Sequence, residues 1–281
     1  VNCPACGASV LPNHAFCEQC GSPLGPPASC TACGGEIADG YCAECGLRAP
    51  AATDHVELVL DSGAAGASDR GLRHSRNQDA MALGEAEGRV IAVVCDGVSQ
   101  SPRPETASTL AAQTGVAILA EELKAGSGQE TATRAAYARA ARAVAELGTS
   151  ADDAPACTYV SAVAGPELVT VGWVGDSRAY WLPDDGTAVL LTDDDVATAG
   201  VLTAWLGADA RNAGCRAIGF VPDAPGLLMV CTDGLWGYLD DPVSFRAAVP
   251  IDGARALVHH ALASGGRDNI TVVLIPVRRA S

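Results

Sequence analysis

From residue 56 onward, short apolar runs alternate with breaks rich in glycine, aspartate and proline. Runs at 56–60, 89–95, 158–163, 168–174, 178–182, 227–231 and 270–277 are each short and rich in valine, leucine or isoleucine, and each predicts a β-strand. Two longer stretches read as helices. The first covers 104–124, entered at Pro104 and left just before Gly126; the second covers 131–147, with Gly148 as its C-cap. A shorter helix is expected over 254–263. Hairpin-like strands dominate and the helices come as a block. That order predicts an α+β fold of antiparallel sheets with helices outside, not a doubly wound parallel sheet.

Residues 1–47 follow a different pattern, a repeated Cys-x-x-Cys-Gly knuckle. Cys3 and Cys6 are answered by Cys17 and Cys20, and Cys30 and Cys33 by Cys42 and Cys45. The glycine after each pair lets the chain turn tightly, so that backbone N–H groups face the thiolates. Four thiolates per site suit a closed tetrahedral Zn²⁺, and two such sites make two zinc ions. The pairing of the four knuckles is open: consecutive or interleaved. A segment this short builds little core, so the metal would supply its folding free energy. A redox module is disfavoured, since no βαβ pattern accompanies the cysteines. The segment resembles a double zinc ribbon. Residues 48–55 read as a linker and 56–281 as the second domain.

Charge narrows the partners. The 281-residue chain carries a formal net charge of −15 and is 48% apolar, which suits a packed globular protein and disfavours nucleic acid or an anionic membrane surface. Lys124 is the only lysine. The ribbon has Arg48 as its one strong base against Glu18, Glu36, Asp39 and Glu44, so a protein-docking or structural role is expected for it, not DNA binding. No run approaches the ~20 apolar residues of a membrane span. The N-terminus enters the first knuckle directly with no signal peptide in view, and a cytoplasmic setting is expected.

The informative residues are aspartates just beyond apolar strands. Asp96-Gly97 follows the run at 90–95, Asp233-Gly234 follows that at 227–231, and Asp268 precedes that at 270–277. Asp176 sits in a turn between two strands, and Asp79 follows Asn77-Gln78. Each alone reads as a solvated turn residue. Gathered at one sheet edge, they would repel, and hard divalent cations relieve such repulsion. Oxygen-only ligands favour Mg²⁺ or Mn²⁺ over Zn²⁺.

Residues 56–277 resemble the metal-dependent protein phosphatases, type 2C. The resemblance is carried, in order, by Ser68-Asp69-Arg70-Gly71, Asn77-Gln78-Asp79-Ala80, Val94-Cys95-Asp96-Gly97, Trp173-Val174-Gly175-Asp176-Ser177-Arg178, Leu202-Thr203-Ala204-Trp205-Leu206-Gly207, Cys231-Thr232-Asp233-Gly234 and Gly266-Arg267-Asp268-Asn269. It implies an αββα four-layer sandwich of two antiparallel sheets, with two Mn or Mg ions at one edge holding a bridging water for hydrolysis of phosphoserine and phosphothreonine. Asp96 would bridge both ions, Gly97 would lend its carbonyl to one, and Asp233 and Asp268 would hold the other. Asp79 would act through a metal-bound water, and Asp176 corresponds to the ligand of a third, weakly held ion. Arg178 would be structural, pairing with nearby acids.

The sequence departs from the family in four places. His74 stands where the family often has a phosphate-holding arginine; Arg73 and Arg76 flank it as substitutes. Gln78 replaces a glutamate, and an amide oxygen can still ligate a cation. No histidine follows Asp96-Gly97, so water would protonate the leaving group. The stretch at 193–202 is too short for the family's usual mobile flap. The catalytic candidates are therefore Asp96, Asp233, Asp268, His74 and Arg76. The expected partners are phosphoproteins made by serine/threonine kinases. The competing reading is a weakened phosphatase-fold adaptor with the ribbon as its docking module. The retained carboxylates speak against it, because a dead site has no need to hold repelling charges together.

Overall fold

The structure, a computed structural model, describes residues 29–30, 32–38, 40–49, 51–150, 152–184, 186–198, 200–210, 214–240 and 249–278. The chain forms two compact units that part between Ala51 and Ala52.

In the first unit, β1 (Ile37–Ala38) pairs antiparallel with β2 (Tyr41–Cys42). Two knuckles flank this hairpin. Gly34 (φ 78°) and Gly46 (φ 71°) take the left-handed conformation that tight turns require, and each donates its N–H to the first cysteine of its pair, Cys30 or Cys42. Cys3, Cys6, Cys17 and Cys20 lie outside the described residues.

The second unit is built from β3 (His55–Val59), β4 (Ala65–Asp69), β5 (Ala80–Ala86), β6 (Arg89–Cys95), α1 (Pro104–Lys124), α2 (Gln129–Ala145), β7 (Tyr159–Ala164), β8 (Val169–Val174), β9 (Arg178–Pro183), β10 (Val189–Leu190), β11 (Arg216–Phe220), β12 (Gly226–Cys231), α3 (Asp233–Trp236), α4 (Pro250–Ala263) and β13 (Ile270–Val277). One sheet has the order β10-β9-β12-β13-β4-β3 and the other β11-β8-β7-β6-β5. All their pairings are antiparallel.

The period of two along each strand decides the layers. On β6, Val90, Ala92 and Val94 face the opposite sheet, while Ile91, Val93 and Cys95 pack under α1 and α2. On β13, Val273 and Ile275 face inward, while Ile270, Val272 and Leu274 pack against α4. Both faces of each central strand are covered, which is why these strands read as unbroken apolar runs. The result is the αββα sandwich with three apolar layers.

Cys95, Cys157 and Cys231 are fully buried within these layers and Cys215 is nearly so, which matches a packing role. His260, on α4, lies 3.0 Å from the Tyr238 carbonyl and serves packing. At one end, β3, β4 and α4 are tied by a chain of charges. His55 contacts Asp69 (2.8 Å) and Glu57 (3.2 Å), and Arg255 donates two hydrogen bonds to Glu57.

Gly148 is not a C-cap. Helix α2 ends at Ala145 with a right-handed Glu146 as its cap. Gly148 instead lies where a Cβ would meet Ala208 at 2.8 Å, so close packing accounts for this glycine. Strands β4 and β11 were not expected from the apolar pattern. The segment Ala65–Asp69 is all small or polar, and its strand state comes from pairing on both sides with β13 and β3.

Candidate metal centres

Five aspartates predicted from sequence come together at one end of the sandwich. Asp96, Asp176, Asp233 and Asp268 line a single cleft of about 550 Å³. Asp79 lies buried beside them at 7% exposure, and burial first, then Asp233 and Asp268, push up its pKa.

Strand ends place each one. Asp96 closes β6, and its backbone exchanges hydrogen bonds with Thr158: the Asp96 N–H donates to Thr158 Oγ1 (2.9 Å) and the Thr158 N–H to the Asp96 carbonyl (2.8 Å). Gly97 follows at a point where a Cβ would meet the Gln78 carbonyl at 2.6 Å, so only glycine fits. Asp233 opens α3 directly after β12. Asp268 precedes β13, its Oδ1 accepting the Asn269 N–H (2.8 Å) and lying 3.1 Å from His74 Nε2. Thr232 and Thr271 each donate a hydroxyl to Asp79 Oδ2 at 2.8 Å.

A second set of contacts fixes the turn that carries Asp176. Trp236 Nε1 donates to the Asp176 carbonyl (2.9 Å), and the Arg178 guanidinium stacks 3.6 Å from the Trp236 ring. The same guanidinium donates to both oxygens of Asp194 (3.0 and 2.7 Å), the structural role expected of Arg178. Asp195 accepts the Gly175 N–H (2.9 Å) and pairs with Arg216 (2.7 Å). The short segment at 193–195 therefore anchors the Asp176 turn.

The electrostatics are those of a site missing positive charge. Burial pushes the Asp79 carboxyl up to about 8, against the two threonine hydroxyls that lower it and with Asp233 and Asp268 adding to the rise. Burial, with Asp79, Asp233 and Asp268 around it, raises Asp96 well above the usual carboxylate range. Asp176 is pushed up to about 7 by burial and then by Asp233, and Asp233 is raised by burial and Asp268. Asp79 Oδ1 and Asp233 Oδ1 are buried with no hydrogen-bond partner. Such orphaned oxygens are costly unless a cation takes them up. All the donors are oxygens, which suits Mg²⁺ or Mn²⁺.

The remaining candidates are placed differently. Gln78 Oε1 accepts the Ser99 hydroxyl (2.6 Å). The Arg76 guanidinium is exposed and engaged by Glu105 on α1 (2.8 Å), outside the cleft lining. Asn269 was passed over as a functional residue in the sequence. Its side chain accepts the Gln78 N–H (2.8 Å) and donates to the carbonyls of Arg70 (2.7 Å) and Arg76 (3.0 Å). It thereby ties the loop bearing His74 to Asp268. Its adjacency to Asp268 was the available signal.

In the first unit, the sulfurs of Cys30, Cys33, Cys42 and Cys45 lie within 4.8 Å of one another. Consecutive knuckles thus share this site, which closes the interleaved option for these four. Backbone N–H groups of Ala32 and Cys33 pull the Cys30 thiol down to about 7. Cys33 is lowered by the Gly35 N–H but pushed up to about 12 overall by Cys42 and Cys45. Four thiols at this distance share protons until a cation replaces them, and a closed all-sulfur set fits structural Zn²⁺.

The family model for protein phosphatase 2C matches residues 68–256, which contain every cleft aspartate except Asp268. The chain belongs to the protein phosphatase 2C family. It is an enzyme of the protein phosphatase class. Residues 2–24 match the zinc-ribbon domain family, so both cysteine sets carry a zinc signature.

Solved structures agree with the protein phosphatase 2C fold. The Mycobacterium tuberculosis serine/threonine phosphatase PstP/Ppp superposes with a TM-score of 0.67 at 22% identity, over 77% of this chain and 98% of that one. Stp1 from Staphylococcus aureus gives 0.67 at 20% identity, over 80% and 98%. The catalytic domain of PstP in complex with two manganese ions gives 0.65 at 23%, over 79% and 99%. A search of curated proteins found no match. Among the described residues no helix is long and apolar enough to cross a membrane.

Proposed function

We propose that this chain hydrolyses phosphoserine and phosphothreonine in proteins, using two Mn²⁺ or Mg²⁺ ions held by Asp79, Asp96, the Gly97 carbonyl, Asp233 and Asp268, with Asp176 open to a further ion. The observation that carries this reading is the pair of buried, unpartnered oxygens on Asp79 and Asp233 beside the cleft. When bound, two such ions would activate water and compensate phosphoryl charge. The protein's own work is to hold the carboxylates ready. Thr232 and Thr271 aim Asp79, Thr158 fixes the backbone at Asp96, and Asn269 fixes the loop facing Asp268. Among the described residues that line the cleft there is no histidine, lysine or arginine, which supports water as the proton donor to the departing alcohol.

The decisive assay is hydrolysis of a phosphothreonine peptide with Mn²⁺ and with chelator. Hydrolysis only with the metal is expected; none with either, or the same rate in chelator, would overturn the proposal. A double zinc ribbon at 1–47 would precede the phosphatase domain; the expected linker at 48–55 overlaps both units, which part between Ala51 and Ala52, and β3 already opens at His55. The ribbon would dock a protein partner, and a cytoplasmic setting fits reduced cysteines.

His74 would take the part of the arginine that often holds the phosphate. His74→Arg should then lower KM about tenfold, near the lower end of the ~1.5–3 kcal/mol that a charged hydrogen bond contributes. An unchanged KM, together with a raised KM in Arg73→Ala, would assign the phosphate to Arg73.

Zinc gives a separate prediction. About two Zn²⁺ per chain are expected by elemental analysis, falling to about one in Cys42→Ser. The Cys42 thiol is held low by the Cys45 N–H, as a thiolate ligand requires. No zinc, with oxidised cysteines, would refute the ribbon.

A further inference from the structure

Among the described residues, two tryptophans share an arginine with an aspartate, and a third bonds an aspartate directly. Arg178 stacks on Trp236 while pairing with Asp194. Arg216 lies over Trp173, 5.0 Å from the ring, while pairing with Asp195. The third pair is Trp205 and Asp209, joined by a hydrogen bond from Trp205 Nε1 to Asp209 Oδ1 (2.9 Å). Among the described residues, no arginine or lysine pairs with this third set.

This third pair lies in the same cleft as the catalytic aspartates. Val201 and Leu202 add apolar surface beside it, and Asp152 adds a second exposed carboxylate. Among the described residues, no cation lines the cleft. A volume of about 550 Å³ is well beyond what a phosphoryl group fills and is in the range of sites that take whole side chains.

We propose that Trp205, Asp209, Asp152 and the apolar surface of Val201 and Leu202 bind an arginine or lysine side chain that flanks the phosphorylated residue of the substrate. This rests on the phosphatase reading above, which puts the phosphoryl group at the Asp96–Asp233 end. Consecutive residues of an extended peptide are ~3.3–3.6 Å apart, so a near neighbour in sequence reaches the second end. A guanidinium suits it best. Its plane lies on an indole ring, its fork takes a carboxylate, and its methylenes cover Val201 and Leu202. An acidic flanking residue would meet Asp152 and Asp209 and be rejected by like charge. The enzyme thus prefers phosphoproteins with basic residues around the phosphosite.

Matched phosphothreonine peptides test this, with Arg, Ala or Glu placed in turn at each of the three positions on either side. At one position or more, Arg should exceed Glu in kcat/KM by about tenfold, chiefly through KM. The ratio should shrink between 0.05 and 0.5 M NaCl as charge is screened. Asp209→Asn keeps an oxygen for the Trp205 N–H but removes the charge, and the ratio should fall toward one. Equal rates for all peptides in the wild type, or a preference for Glu, overturn the proposal even if the variant does not fold. p-Nitrophenyl phosphate, too small to span the cleft, separates the two readings. Turnover of it without a peptide preference sinks only the basic-substrate assignment; no turnover of any substrate with Mn²⁺ sinks both.

Discussion

Asp96→Asn and Asp233→Asn should each lower Mn²⁺-dependent phosphothreonine hydrolysis by more than the ~10–100-fold that loss of an outer partner costs a metal centre. Each substitution keeps the side chain's shape and removes one negative charge from the cluster. In Asp233→Asn, Oδ1, now buried and unpartnered, no longer calls for a cation. Asp96 is held by its backbone to Thr158 in either case, so the strand end is not expected to move. The same variants should behave oppositely without metal. The aspartates raise one another's pKa, and removing one relieves that repulsion, so thermal stability in chelator should hold or rise. A variant that is merely damaged would lose activity and stability together. Calorimetry in EDTA beside a Mn²⁺ titration separates the outcomes. Full activity in both variants would remove these aspartates from the mechanism.

Much of this site was legible because its carboxylates stand beside strong apolar strands. The run at 90–95 could only be a strand, and Asp96 had to emerge at its end. The same holds for Asp233 after β12 and Asp268 before β13. Their convergence was not legible from spacing; it came from resemblance, since sheet order depends on pairings between segments far apart in sequence. Hydroxyl and amide partners carried no pattern. Thr232 and Thr271 share Asp79 Oδ2 across β12 and β13, a contact between residues 153 and 192 positions from it in sequence. Strand β4 was missed for a related reason. Its small side chains bury little apolar area each, so its place is set by its neighbours. Arg76 shows the reverse limit. A cation close in sequence to His74 suggested a phosphate contact, yet Glu105, 29 residues away, engages it.

In chelator, thermal stability should fall as pH rises from about 5 to 8, and saturating Mn²⁺ should reverse the slope. The sign follows from which state binds more protons. Asp79 is pushed up to about 8 and Asp176 to about 7 in the folded, metal-free protein, by burial first and by neighbouring carboxylates second. In the unfolded chain both titrate near ~3.9. Between these values the folded state holds protons that the unfolded state has released, so stability falls with rising pH. The contribution is complete below about 4 and lost as pH passes through about 7 and 8. Asp96 and Asp233, raised by burial and by neighbouring carboxylates, act in the same direction, whereas Cys30, pulled down to about 7 by backbone N–H groups, acts in the opposite one within the ribbon unit. Glu57 is lowered to about 2, by Arg255 first and then His55, so it is ionised throughout. His55 is raised by Asp69 and acts in the same direction as the aspartates, so His55→Gln is the control. One pKa unit corresponds to ~1.4 kcal/mol, and ~1 kcal/mol moves the midpoint of a domain this size by ~2–4 °C; the two aspartates together cross roughly five units between pH 5 and 8, so a fall of more than ~10 °C is expected. With Mn²⁺, metal and protons compete for the same oxygens, and ionisation at higher pH favours the metal. A flat or rising profile in EDTA, with the His55→Gln control unchanged, would mean that the aspartates are already ionised without metal and that the cleft is not built around a cation.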